Sequence, residues 1–275
     1  MKIYGLDFTS APRPKKPITC AVGSKDGPVP VLKMEHLTGF SGFEEFEVFL
    51  GQGGPWVAAM DFPFGLPRKL IANLSWPKPW EAYVEFVSTL GLKSFEFQLA
   101  GYRNDQPQGD KQHLRLTDVL AGSCSPMMLY GVPVGRMFFQ GAPRLLRSGV
   151  SLLPCRPTTA DRVTLEGYPA LVARKWIGKH SYKSDQPIKQ TLDKEERRRA
   201  ILTGLRSSQF KSHYGFDIEL SDTLARQCVL DPSGDALDAV LCSIQAAWAF
   251  GRRDFGVPPQ CDKDEGWIVD PSLAL

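Results

Sequence analysis

Residues 2 to 8, KIYGLDF, form an apolar run that reaches Asp7 and then passes through Thr9 and Ser10 into the turn-rich APRPKKP. A short apolar run closed by prolines reads as a buried strand followed by a loop. ITCAVG (18–23) and PVLKMEHL (30–37) read as two further strands parted by a Gly/Asp/Pro turn, so the chain opens as an antiparallel meander. After Ser41, FEEFEVFLGQG sets Phe43, Phe46, Phe49 and Leu50 at helical spacing, with Gly51 near the stop. WVAAMDF (56–62) is apolar without interruption up to Asp61, the pattern of a strand covered on both faces, and PFGLPR forbids its continuation. PWEAYVEFVSTLGL predicts an amphipathic helix with Pro79 at its start and Gly91 at its end.

From Lys93 to about Asp161 the periodicity fades, which predicts a cap inserted at about 93–161. RVTLEGYP (162–169) reads as a short strand carrying Glu166 and closed by Pro169, continued by ALVARKWIG as a short helix. LDKEERRRAILTGLRSS then reads as a basic helix and SDTLARQCV as a shorter one capped by Ser221, within a basic helical insertion at about 178–232. The last strong element is GDALDAVLCSIQAAWAFGRR (234–253), whose alanines suit close packing on a sheet and whose Asp235 and Asp238 share one helical face. Together these elements predict an α/β chain, residues 1–275 as a single domain with two insertions.

Composition narrows the class. With 43% hydrophobic and 23% charged residues, the 275-residue chain is neither disordered, collagen-like nor a coiled coil. No apolar stretch reaches the roughly 18 residues a membrane span needs, and no signal peptide is visible, so a soluble, cytoplasmic protein is expected. None of the six cysteines forms a close pair and the four histidines are scattered, which removes zinc-ribbon, redox and histidine-rich metal sites. Carboxylates remain as ligands. The formal charge of +3 hides an asymmetry, because the stretch from Arg136 to Lys211 carries a net +10 and leaves −7 on the rest.

The candidate chemistry lies at the ends of the predicted core elements. Strands ending in Asp7 and Asp61, a third carrying Glu166, and a helix opening with Asp235 and Asp238 set five carboxylates where an open α/β sheet forms its sites. Carboxylates crowded together stay ionised only if cations neutralise them, and such hard oxygen ligands select Mg²⁺ or Mn²⁺. A pair of such ions about 4 Å apart would activate water for phosphodiester hydrolysis.

The order strand-Asp, meander, helix, strand-acid and final D-x-x-D helix resembles the ribonuclease H-like superfamily, its Holliday-junction-resolvase branch above all. GLDFTSAP, AAMDFPFGLP, EGYPALVARKWIGKHSYK, GDALDAVLCSIQAAWA and EGWI are similar to domain-of-unknown-function family 429, a family of predicted ribonuclease H-like nucleases. The resemblance spans nearly the whole chain. It implies a mixed five-stranded sheet flanked by helices, and a metal-dependent nuclease with Asp7, Asp61, Asp238 and Asp235 as metal ligands and Glu166 completing or orienting the site. Asp61 and Asp235 depart from that branch, which often carries Glu and His there. Nucleic acid, DNA or RNA, is the implied partner, met by Lys175, Lys179, Lys183 and Arg115, with Tyr168, Trp176 and Tyr182 able to stack on bases. A membrane partner is not expected, and the oligomeric state stays open, a homodimer included.

Each feature also has a plainer explanation. Asp7 and Asp61 suit Asx-turns, Asp235 suits a helix N-terminus, Glu166 suits a partner for Arg174 or Lys175, and Arg115 with Asp118 suits an ion pair. Arg197 to Arg199 read as a solvated helical face. Two other functions stay open: a non-catalytic nucleic-acid or protein-binding module that keeps the fold, and an actin-like phosphotransferase or ATPase using Asp7 and Thr9.

Overall fold

The computed structural model describes residues 1–26 and 30–274. The opening meander is β1 (Lys2–Asp7), β2 (Ile18–Lys25) and β3 (Val31–Phe40), whose connecting turn lies partly outside the described residues. There follow α1 (Phe43–Gly51), β4 (Trp56–Met60), α2 (Arg68–Asn73), α3 (Trp80–Leu90), α4 (Leu92–Asp105), α5 (Leu116–Ala121) and α6 (Val134–Ser148). β5 (Ser151–Leu153), β6 (Arg162–Glu166), α7 (Pro169–Ile177), α8 (Leu192–Leu205), α9 (Ser208–Tyr214), β7 (Asp217–Glu219), α10 (Asp222–Leu230) and α11 (Asp235–Phe250) complete the chain.

The sheet has seven strands in the order β5-β6-β4-β1-β2-β3-β7, so the expectation of five is corrected. The two additional strands are the edges β5 and β7, each of three residues, too short to leave a period-2 signature. They come from the stretches read as the cap and the basic insertion. Only β2 runs against its neighbours, since β1, β4, β6 and β5 are mutually parallel and β3 is parallel to β7. Three helices also form where periodicity fades. In α6 the pattern is broken by Gly135, Gly141 and Pro143, and α5 leaves Leu116, Val119 and Leu120 exposed, so neither reads as an amphipathic helix from sequence.

Helices cover both faces. On one face Ile3, Ala21, Val57, Ala59, Val163 and Leu165 pack under α11 and the α7–α10 region. On the other, Leu6, Cys20, Trp56, Ala58 and Met60 pack against α1, α3, α4 and α6. Alternation along each strand thus assigns every position to one layer. The helix α11 crosses β1, β2 and β4 and is buried from Ala236 to Ala249, as its nearly all-apolar sequence requires. It can lie so close because β1 has no side chain at Gly5, where a Cβ would come within 2.1 Å of the Ala239 carbonyl oxygen and the Ser243 amide nitrogen. Among the described residues no helix is long and apolar enough to cross a membrane.

Candidate metal centre

Asp7 and Asp61 meet because β1 and β4 are parallel neighbours paired Leu6 to Met60, and the Asp61 amide donates to the Leu6 carbonyl at 2.9 Å. Both strands present their next residue to the α11 layer. From above, α11 lowers Asp238 onto the same point, one turn inside its N-terminus, where the helix dipole favours negative charge. One carboxylate oxygen from each of Asp7, Asp61 and Asp238 lies within 4.8 Å of the others.

Burial sets the electrostatics. Asp7 is 7% exposed and Asp238 fully buried. The Asp7 carboxyl is held well above its ordinary range by burial and then by the charges of Asp235, Asp238 and Asp61, with Lys183 opposing. Asp61 is pushed up to about 7 by burial, with Asp238 and Glu166 adding to the shift. Lys183 answers this demand. Its ammonium pairs with Asp238 Oδ2, while the Tyr182 hydroxyl donates to Asp238 Oδ1. Although burial works against its charge, the carboxylates of Asp238, Asp7 and Asp61 keep the Lys183 ammonium protonated well beyond its usual range.

Asp235 and Glu166 do not join the three carboxylates. Asp235 stands at the edge of the cluster, its carboxylate 3.7 Å from Lys16, which also pairs with Asp185. It does not cap α11. Gly234 occupies that position with a φ of 79°, and Asp231 accepts the Ala236 amide at 2.9 Å. Glu166 lies on the opposite face of the sheet, because β6 pairs it with Met60, one residue short of Asp61. There it receives the Arg115 guanidinium at 2.6 and 2.8 Å and the Phe64 amide at 2.9 Å. Arg115 also binds Asp118 through Nε at 2.9 Å and Nη2 at 2.8 Å, the ion pair suggested along the chain, and it is Arg115, not Arg174 or Lys175, that partners Glu166. Burial raises Glu166, and the nearby Arg115 holds it down.

A cleft of about 310 Å³ adjoins the cluster, and its lining includes Asp61, Asp238 and Lys183 together with Tyr168, Arg174, Lys179 and His180. Arg115 and Glu166 reach it from the far layer. Lys175 turns away, 3.6 Å from the buried Asp270. Of the three aromatics, Tyr182 is buried and Trp176 packs against Gly204, where a Cβ would fall 2.3 Å from its ring. The Tyr168 hydroxyl accepts from Arg174 at 3.0 Å.

Folding largely cancels the basic stretch. Arg136 pairs with Glu96, Arg144 with Glu47, Arg156 with Glu81, Arg206 with Asp222, and Lys183 with Asp238, all acids outside the stretch. Arg197 and Arg199 pair with Asp193 and Glu195 along α8, while Arg198 is buried against the carbonyls of Val229 and Tyr182. The +10 is therefore not one free cationic face.

Sequence reading missed Lys16 as the partner of Asp235 and the pairing of Arg115 with Glu166. Residue types alone carry no signal for either, since both depend on which loop and layer lie opposite. Comparison of the chain with protein-family models, with curated proteins and with solved structures finds no match.

Proposed function

We propose that the chain is a divalent-metal-dependent hydrolase of nucleic-acid phosphodiester bonds on a ribonuclease H-like sheet, as its resemblance to domain-of-unknown-function family 429 implies. The observation that carries this reading is the convergence of the Asp7, Asp61 and Asp238 carboxylates within 4.8 Å at the carboxyl ends of two parallel strands. The central strand order β3-β2-β1-β4-β6, with β2 alone reversed, supports the fold assignment.

The donor set fits Mg²⁺ or Mn²⁺: three hard oxygen ligands, gathered at one point, with Asp7 and Asp61 raised by burial and by the neighbouring acids. Asp7, Asp61 and Asp238 would hold the ion, which supplies Lewis-acid polarisation of the phosphate and activation of water. The chain's own groups do the rest. Tyr182 holds the orientation of Asp238, and Lys179 and Lys183 set cationic charge in the cleft for a phosphate.

The test is cleavage of labelled single-stranded, duplex and branched DNA and RNA with Mg²⁺ or Mn²⁺, against chelator and against Asp238→Asn. Metal-dependent cutting lost in the variant is expected. Absence of cutting on every substrate, with no divalent ion bound, overturns the proposal. The Lys183–Asp238 ion pair favours a second reading, a binding module whose acids are neutralised internally. That module would bind oligonucleotides in a salt-sensitive manner without any divalent ion.

A further inference from the structure

We propose that the centre takes a single divalent ion and that the Lys183 ammonium fills the place a second ion would occupy. This rests on the metal-centre reading above and specifies it. Charge and ligand supply both lead there. Asp7, Asp61 and Asp238, once ionised, carry three negative charges, and the ammonium paired with Asp238 leaves two, which one divalent ion balances. A second ion about 4 Å from the first needs a carboxylate shared between the two and further oxygen ligands of its own. Asp238 is already shared with the Tyr182 hydroxyl on Oδ1 and the Lys183 ammonium on Oδ2, so a second ion would depend on Asp7 or Asp61 and on acids outside the three. The nearest further acid, Asp235, is turned to Lys16. Glu166 is held on the opposite layer by Arg115.

Lys183 is partly exposed, and its position is set by contacts along its stem and backbone. Its stem lies against Gly234 at the start of α11, where an added Cβ would come within 2.7 Å of Lys183 Cβ and 2.8 Å of its Cδ. The neighbouring Ser184 amide donates to the Pro232 carbonyl at 3.0 Å, and Arg198 grips the Tyr182 carbonyl at 2.7 Å. The segment carrying Tyr182 and Lys183 is thus anchored to α8 and to the loop and cap that open α11, the helix that delivers Asp238. A fixed ammonium of this kind neutralises charge as a metal does, but holds a phosphate oxygen by hydrogen bonds.

The test is Mn²⁺ titration of the full chain at pH 8 by calorimetry, with electron paramagnetic resonance of the loaded protein. The native protein is expected to bind one Mn²⁺ per chain with the spectrum of an isolated ion. Lys183→Met is expected to bind a second Mn²⁺ and give a spin-coupled spectrum, while Lys183→Arg keeps one. Thermal unfolding of each variant reports that it is folded. Two coupled ions in the native protein overturn the inference and leave the metal centre standing. An unchanged single isolated ion in Lys183→Met also overturns it. No ion bound by any of the three proteins removes the metal-centre reading itself, and the inference with it.

Discussion

Asp61 and Glu166 close adjacent parallel strands, yet they serve opposite layers of the molecule. The pairing of Met60 with Glu166 sets the two acids one residue out of step, and one residue is a change of face. Asp61 joins Asp7 and Asp238 under α11, whereas Glu166 is buried with Arg115 and Asp118 on the other side.

Glu166→Gln is therefore expected to cost stability and not metal. Arg115 keeps its pairing with Asp118, but the amide turns an NH2 group toward the guanidinium and one of the two hydrogen bonds to residue 166 is lost, a cost of about 1–3 kcal/mol. Denaturant unfolding would register that loss, while Mn²⁺ affinity by calorimetry stays within about twofold. A loss of affinity comparable to that of Asp61→Asn would return Glu166 to the metal centre.

Asp7→Asn is expected to do the reverse. Burial and three neighbouring acids make an ionised Asp7 costly in the metal-free protein. The neutral amide removes that cost, so the midpoint of unfolding without metal should rise by the equivalent of about 1 kcal/mol or more at pH 8. The same variant should lose the thermal shift that Mn²⁺ gives the native protein. A destabilised metal-free variant would contradict the electrostatic account.

The pH dependence follows from Asp61, whose carboxyl moves from 3.8 to about 7 on folding. Between those two values the folded chain keeps a proton that the unfolded chain has released, so stability falls as pH rises through that window. Metal binding requires the ionised carboxylates and so strengthens over the same range. Unfolding midpoints without metal should be higher near pH 5 than near pH 8, and the rise caused by Mn²⁺ should be greater near pH 8. Equal metal-induced shifts at both values would remove Asp61 from the linkage.

Asp235 and Asp238 separate the two roles possible for the D-x-x-D pair. Asp238→Asn should weaken Mn²⁺ binding by about 100-fold or more, whereas Asp235→Asn, which only releases Lys16, should change it by less than about tenfold. Titration calorimetry on the two variants checks this, and equal losses would make Asp235 a ligand.

Gly5 tests whether the approach of α11 to β1 builds the centre. A methyl group at this position meets the backbone of Ala239 and Ser243 at 2.1 Å, so the helix must lift. Gly5→Ala should cost about 1–3 kcal/mol of stability and lower Mn²⁺ affinity, read by denaturant unfolding and calorimetry. Full affinity in a destabilised variant would show that Asp238 reaches the cluster without this contact.

Much of this molecule is legible along the chain. Apolar runs marked β1 as a buried strand and β4 as one covered on both faces, the prolines after them ended each strand, and the alanine-rich α11 announced a helix packed close on a sheet. Asp7, Asp61 and Asp238 were legible as acids at the ends of core elements, but so were Glu166 and Asp235, and nothing along the chain separated the three from the two. What the sequence alone determined is therefore local: the period of each long segment, its breakers, and the acids at its ends. Tertiary structure decided the rest. Register put Glu166 on the wrong face for the cluster, loop placement gave Asp235 to Lys16 and Asp238 to Lys183, and folding matched many bases of the +10 stretch with acids elsewhere. Strand register and long-range charge pairing depend on which backbones lie side by side, and no periodicity along a single chain records that.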